Sequence, residues 1–124
     1  MEGLIDETRP IFEQIAERIE NDIIAGELPE DAQVPSTNQF ASFYQINPAT
    51  AAKGVNLLVD QGILYKKRGL GMYVAPGARA RLLEQRREQF AERYVAPLLQ
   101  EAAKLGVTIE QVLDMIQRRV EVHE

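Results

Sequence analysis

Apolar side chains recur at helical spacing in four stretches of this 124-residue chain, and glycine or proline punctuates the gaps between them. Phe12, Ile15, Ile19 and Ile23 follow Pro10, a residue suited to a first helical position, and Gly26 supplies a left-handed stop. The pattern predicts a first helix over about residues 10–25, with one apolar stripe and an acidic outer face. Gly26 to Gln33 reads as a loop, and Gln33-Val34 as a very short strand beside a later hairpin. Ser36 with Gln39 three residues on forms a capping-box pattern, and Val34 or Pro35 can staple onto Phe40. A second helix is expected over 37–43, with Tyr44-Gln45-Ile46 as the turn. Asn47 is the next cap, Pro48 a first helical residue, and Ala51, Val55, Leu58 and Val59 the apolar stripe of a third helix ending near Gln61, with Gly62 as its stop.

The period then changes. Ile63-Leu64-Tyr65-Lys66 and Met72-Tyr73-Val74 are β-prone runs separated by a basic glycine turn, Lys66-Lys67-Arg68-Gly69-Leu70-Gly71, which reads as an antiparallel hairpin. Pro76-Gly77 breaks the chain and is the expected domain boundary, dividing residues 1–76 from 77–124. Beyond it, residues 78–105 form a long helical pattern with Leu83, Phe90, Tyr94, Leu98, Ala102 and Leu105 on one side. Pro97 should kink or divide this helix, because it removes a hydrogen bond and crowds the carbonyl four residues back. Gly106 stops it. Thr108 to Gln111 repeats the capping-box pattern, and Ile109, Val112, Leu113, Ile116 and Val120 mark a last helix. The fold class expected is mainly α with a small β-wing: a winged helix-turn-helix domain followed by a short all-helical region.

Charge sharpens this picture because it is unevenly placed. The net charge is −5, yet residues 1–32 carry −8, residues 33–75 carry +3 and residues 76–124 are neutral. The segment with the positive balance is the one patterned as helix-turn-helix and wing, where phosphate binding would need it. A +3 segment is weak footing for one subunit, which points to two copies acting together. No run approaches 18 apolar residues, so no membrane span is expected. Met1 to Asp6 has neither a basic region nor an apolar run, so no signal peptide is expected and the reading is cytoplasmic. The chain has no cysteine and a single histidine, His123, which leaves neither a disulfide framework nor a thiolate metal site. No nucleophile–base pair, phosphate-cradling loop or carboxylate dyad stands out, so no enzyme activity, cofactor or metal is expected.

Sequence-dependent binding needs side chains at base edges and donors at phosphates. A major groove about 12 Å wide admits one α-helix, whose first turn makes the base contacts. Here that turn is Asn47, Pro48, Ala49 and Thr50, with Lys53 one turn later. Thr50 can exchange a hydrogen bond or pack its methyl on thymine, Ala49 lets the helix approach, and Lys53 can reach a guanine edge or a phosphate. Asn47-Pro48 is equally well explained as pure capping. Ser36, Thr37 and Asn38 lie where free backbone N–H groups can hold a phosphate. On the wing, Lys66, Lys67 and Arg68 supply charge, while Gly69 and Gly71 permit positive φ and close approach. An arginine on a thin hairpin suits a narrow minor groove. Arg79, Arg81, Arg86 and Arg87, interleaved with Glu84 and Glu88, read as a solvated helix face, and Tyr44, Tyr65 and Tyr73 as packing residues.

With these motifs in place, the chain resembles the GntR family of bacterial winged-helix transcription regulators over residues 10–75. The resemblance rests on Pro10-Ile11-Phe12-Glu13-Gln14-Ile15, Gly26-Glu27-Leu28, Val34-Pro35-Ser36-Thr37, Thr50, and Leu58-Val59-Asp60-Gln61-Gly62-Ile63-Leu64 running into Arg68-Gly69-Leu70-Gly71-Met72-Tyr73-Val74. Asn47-Pro48-Ala49-Thr50 and the short C-terminal part resemble the YtrA subfamily. The resemblance implies a homodimeric regulator, a repressor, on a double-stranded operator of two-fold symmetry. It implies DNA contacts at Ser36, Thr37 and Asn38, at Pro48, Ala49, Thr50 and Lys53, and at Arg68, Gly69 and Gly71. Asn38, Pro48 and Ala52 stand where many relatives carry arginine. Lys53 and the wing must then carry more of the recognition, or the operator must be read more by shape. Larger members carry a separate effector domain, whereas only two or three helices follow Gly77 here. Leu83, Phe90, Tyr94, Leu98, Ile109, Leu113 and Ile116 exceed what so short a segment buries alone, which marks residues 77–124 as a dimerisation region. Any small-molecule effector would sit at the subunit junction. The alternative is a winged-helix module that binds another protein and not DNA.

Overall fold

The computed structural model describes residues 5–123; the first four residues, considered above for a signal peptide, and the side chain of His123 lie outside it. The chain divides into two compact units, one through Glu84 and one from Gln85.

Three helices and a hairpin make the first unit: α1 (Ile11–Ile24), α2 (Thr37–Tyr44), α3 (Pro48–Asp60), β1 (Leu64–Lys67) and β2 (Gly71–Val74). Its core takes Ile15, Ile19 and Ile23 from α1, Phe40 and Ala41 from α2, and Ala51, Val55 and Leu58 from α3. Ile63, Leu64 and Val74 close it from the hairpin side. Phe12, expected in the stripe of α1, is only half-buried, and Ala16 takes the inner position one turn on. Both anticipated caps form. Ser36 Oγ accepts from the Gln39 N–H at 3.1 Å while the Ser36 N–H donates to Gln39 Oε1 at 2.7 Å. Val34 and Phe40, the expected staple, are both buried. α2 runs one residue further than its pattern suggests, and the turn is made by Gln45 in the left-handed region at φ 56°.

Gly54 is a core residue that periodicity does not reveal. A Cβ there would lie 2.6 Å from the Phe12 carbonyl oxygen and 3.0 Å from Ile15 Cβ. α1 and α3 therefore cross backbone against side chain, which accepts glycine alone at that point.

β1 and β2 pair antiparallel with Leu64 opposite Val74 and Lys67 opposite Gly71. Gln33 bridges to Tyr73, as the expected short strand. The Val34 N–H donates to the Met72 carbonyl at 2.9 Å and the Val74 N–H to the Ala32 carbonyl at 3.0 Å.

The core does not stop at the predicted boundary. α4 (Ala78–Phe90) begins directly after Gly77, and its Ala78 and Leu82 are fully buried in the first unit. Two arginines expected on a solvated face tie α4 down instead. Arg79 Nε donates to the Ile24 carbonyl at 3.0 Å and Arg81 to the Gly62 carbonyl at 2.5 Å. The Ile24 carbonyl is the last of α1, where a helix leaves acceptors unpaired and favours cations, and the Gly62 carbonyl lies just past the cap of α3. The Gly77 N–H, in turn, donates to Glu30 Oε1 at 2.6 Å.

In the second unit the long helical pattern is divided as Pro97 requires, but upstream of the proline. A π-helical turn (Ala91–Val95) precedes α5 (Ala96–Leu105), and the Ala96 N–H reaches back five residues to the Ala91 carbonyl. Pro97 has no N–H for the Arg93 carbonyl and its ring crowds that group, so the wider turn relieves both. Gly106 at φ 69° ends α5, and a second capping box, Thr108 with Gln111, starts α6 (Ile109–His123). Ala102 and Val112 are the buried residues of this unit. No described helix is long and apolar enough to cross a membrane.

Candidate nucleic-acid interface

The starts of α2 and α3 look alike in sequence but differ in what they leave free. At α3, Asn47 Oδ1 accepts from the Ala49 N–H at 2.8 Å, the Asn47 carbonyl accepts from Thr50 and Ala51, and Pro48 has no N–H. The backbone donors of this turn are used up. What it presents is side-chain surface: Pro48 and Ala49 are exposed and Thr50 is half-buried. Asn47 is exposed, but its carbonyl oxygen is committed to the cap. Such a surface suits reading of base edges rather than holding of phosphates. At α2, by contrast, the Thr37 and Asn38 N–H groups have no partner among the described residues, and no acid lies in the first turn. Ser36 and Asn38 are exposed. That turn can accept an anion.

Lys53 is exposed, yet its ammonium is folded over α1 and stands 4.1 Å from the centre of the Phe12 ring. The partial exposure of Phe12 thus has a use that the apolar pattern does not disclose.

On the wing, residues 66–71 are all exposed. The Leu70 N–H donates to the Lys67 carbonyl at 2.9 Å, and Gly69 takes φ 77° in the turn so closed. Two of the wing's cations, Lys67 and Arg68, part company here. Lys67 lies on the face of the hairpin that carries the cross-strand pair Tyr65 and Tyr73, whose rings are 5.9 Å apart. Its ammonium is 4.3 Å from the Tyr73 ring centre and 5.8 Å from that of Tyr65. Arg68, at the tip, makes no hydrogen bond or ion pair within the described residues. Tyr65 is further fixed by donating to Asp31 Oδ1 at 2.6 Å, a bond that raises its phenol above the ordinary tyrosine range. These tyrosines therefore stiffen the hairpin as packing residues and also seat a cation.

Of the residues expected at a subunit contact, Leu83 belongs to the first unit and is half-buried, beside the fully buried Leu82. Phe90, Tyr94, Leu98, Ile109, Leu113 and Ile116 lie in the second unit and are each 44–66% exposed. Leu98, Ala102, Leu105, Val107, Val112 and Ile116 line an open apolar groove of about 380 Å³ between α5 and α6.

Three helices closed by a hairpin, with an open anion-accepting turn, an exposed reading turn and a basic tip, define a winged helix-turn-helix of the DNA-binding regulator class. Residues 11–74 match the family described as bacterial regulatory proteins, gntR family. The chain belongs to the GntR family and is a YtrA-like transcription regulator within it. It is 28% identical over 108 residues to the HTH-type transcriptional repressor YtrA of Bacillus subtilis, a match covering 87% of this chain and 82% of that protein. A GntR-family transcriptional regulator from Bacteroides thetaiotaomicron superposes with a TM-score of 0.71 at 31% identity, over 92% of this chain and 99% of that one. AraR(DBD) in complex with operator ORX1 superposes with a TM-score of 0.52 at 30% identity, over 60% of this chain and 92% of that chain. These relatives give no support to a winged helix that binds protein alone.

Proposed function

We propose that the protein is a homodimeric repressor that occludes a promoter by binding an operator of two-fold symmetry. Its role is binding, with no catalytic step, and it acts in the cytoplasm. The start of α3 enters the major groove, where Thr50 and Ala49 face base edges and Lys53 reaches a guanine or a phosphate. The Thr37 and Asn38 N–H groups at α2 hold a phosphate, with Ser36 beside them. Arg68 enters the minor groove, with Lys67, Gly69 and Gly71 at the backbone.

The observation that carries this reading is the division of labour between the two helix starts. One keeps its backbone donors open and the other has spent them on its own cap. AraR(DBD), similar over the reading domain and solved in complex with an operator, supports the reading that this domain binds a duplex. Dimerisation is supported by the exposed apolar side chains of the second unit, among them Phe90, Tyr94, Leu98, Ile109, Leu113 and Ile116. So many exposed large apolar side chains in one short unit mark an interaction surface, and residues 77–124 are the proposed dimerisation region. An effector, where one acts, binds at the subunit junction.

Selection of bound fragments from random duplexes by the purified protein tests the whole reading. The expected product is a pair of inverted half-sites whose affinity falls steeply with salt as counterions are released. Failure to enrich any duplex at low ionic strength would overturn it.

A further inference from the structure

We propose that Gln33 is a positioning residue for the wing, pinning the hairpin tip from outside so that Arg68 arrives at the duplex already placed. This rests on the reading above that the wing touches DNA.

A two-stranded ribbon is marginal by itself in water, and every residue from Lys66 to Gly71 is exposed. The turn's own bond, Leu70 N–H to the Lys67 carbonyl, closes the loop but does not hold it to the body of the unit. Gln33 does. Its backbone is already fixed as the bridge residue opposite Tyr73, flanked by the Val34-to-Met72 and Ala32-to-Val74 hydrogen bonds. From there its Nε2 donates to the Leu70 carbonyl at 2.8 Å, across 37 residues of sequence. Tyr73 Oη donates to the same carbonyl at 3.3 Å. One acceptor at the tip thus takes two side-chain donors from the base.

Gly71 makes room for this. A Cβ at that position would lie 3.0 Å from Gln33 Nε2, and the residue sits at φ 107°. A side chain there would crowd the amide, which would have to shift by a few tenths of an ångström, on a backbone already strained for any residue but glycine. The glycine beside the tip therefore serves the brace as well as the turn. Ordering a loose tip at the moment of binding costs affinity, and a tip held beforehand avoids that cost.

The test is a double-mutant cycle between Gln33 and Arg68, read by binding to the duplex selected from the random pool, with thermal unfolding of each variant alongside. Gln33→Ala is expected to weaken binding roughly threefold to tenfold, the scale of one hydrogen bond, with the melting temperature lowered by a few degrees at most. Gln33→Met keeps the reach and removes the donor, so it should lose as much as alanine. In the Arg68→Ala background the Gln33 effect should disappear, because nothing remains for the brace to position. A role confined to stability would instead lower the melting temperature and leave the affinity of the folded protein unchanged in either background. Wild-type binding by Gln33→Met, or full additivity, overturns the proposal. If Arg68→Ala weakens binding and the Gln33 variants do not, the brace alone is wrong. If Arg68→Ala itself changes nothing, the wing contact fails and the brace with it.

Discussion

The Lys53 ammonium rests 4.1 Å from the centre of the Phe12 ring, so α1 holds the cation of the reading helix before any duplex arrives. A cation–π contact near the surface contributes about 0.5–1 kcal/mol, whereas a hydrogen bond to a charged group contributes about 1.5–3 kcal/mol. On the proposed function a phosphate would therefore win over the ring, and Lys53 is expected to transfer when DNA binds. Lys53→Met keeps the apolar stem over Phe12 and removes the charge. Operator affinity should fall several-fold, and the slope of log K against log salt should shrink by about two for a dimer losing two phosphate contacts. An unchanged slope would leave Lys53 on Phe12 in the complex.

Thr50 is the half-buried polar side chain of a turn whose backbone donors are spent. Thr50→Ala should relax the preference at one operator position by about 1–3 kcal/mol while nonspecific DNA binding stays level. Competition between the selected duplex and single-position variants would measure it. Equal loss on both kinds of DNA would make Thr50 a residue that only seats the helix.

Gly54→Ala places a methyl 2.6 Å from a backbone oxygen of α1, which cannot rotate away. The two helices must separate, at a cost of about 1–3 kcal/mol or more. A melting temperature several degrees lower is expected. An unaltered melt would mean that the crossing is looser than the geometry indicates.

Leu113 is 59% exposed on α6. Leu113→Glu would put a charge into the proposed subunit contact while leaving a single subunit's fold intact. Sedimentation should show a monomer with unchanged helical content. Operator affinity should drop by about a hundredfold or more as two-site engagement is lost. A dimer that persists would place the interface elsewhere.

What the chain determined by itself is whatever local physics controls. The two capping boxes, the Asn47-Pro48 start, the glycine stops and the hairpin with its positive-φ turn are decided by residues within a few positions of one another. Each was legible from spacing and residue type. What only the tertiary structure decided involves partners far apart in sequence. Arg79 reaches Ile24, Lys53 finds Phe12, Gln33 finds the Leu70 carbonyl, and Gly54 meets Phe12. A charge pattern cannot distinguish an arginine that caps a distant helix from one in water, because both satisfy the same polarity on the same helix face. The core likewise runs on to Leu82 past a proline–glycine break, since Pro76-Gly77 interrupts the local backbone and places no limit on where the next helix packs.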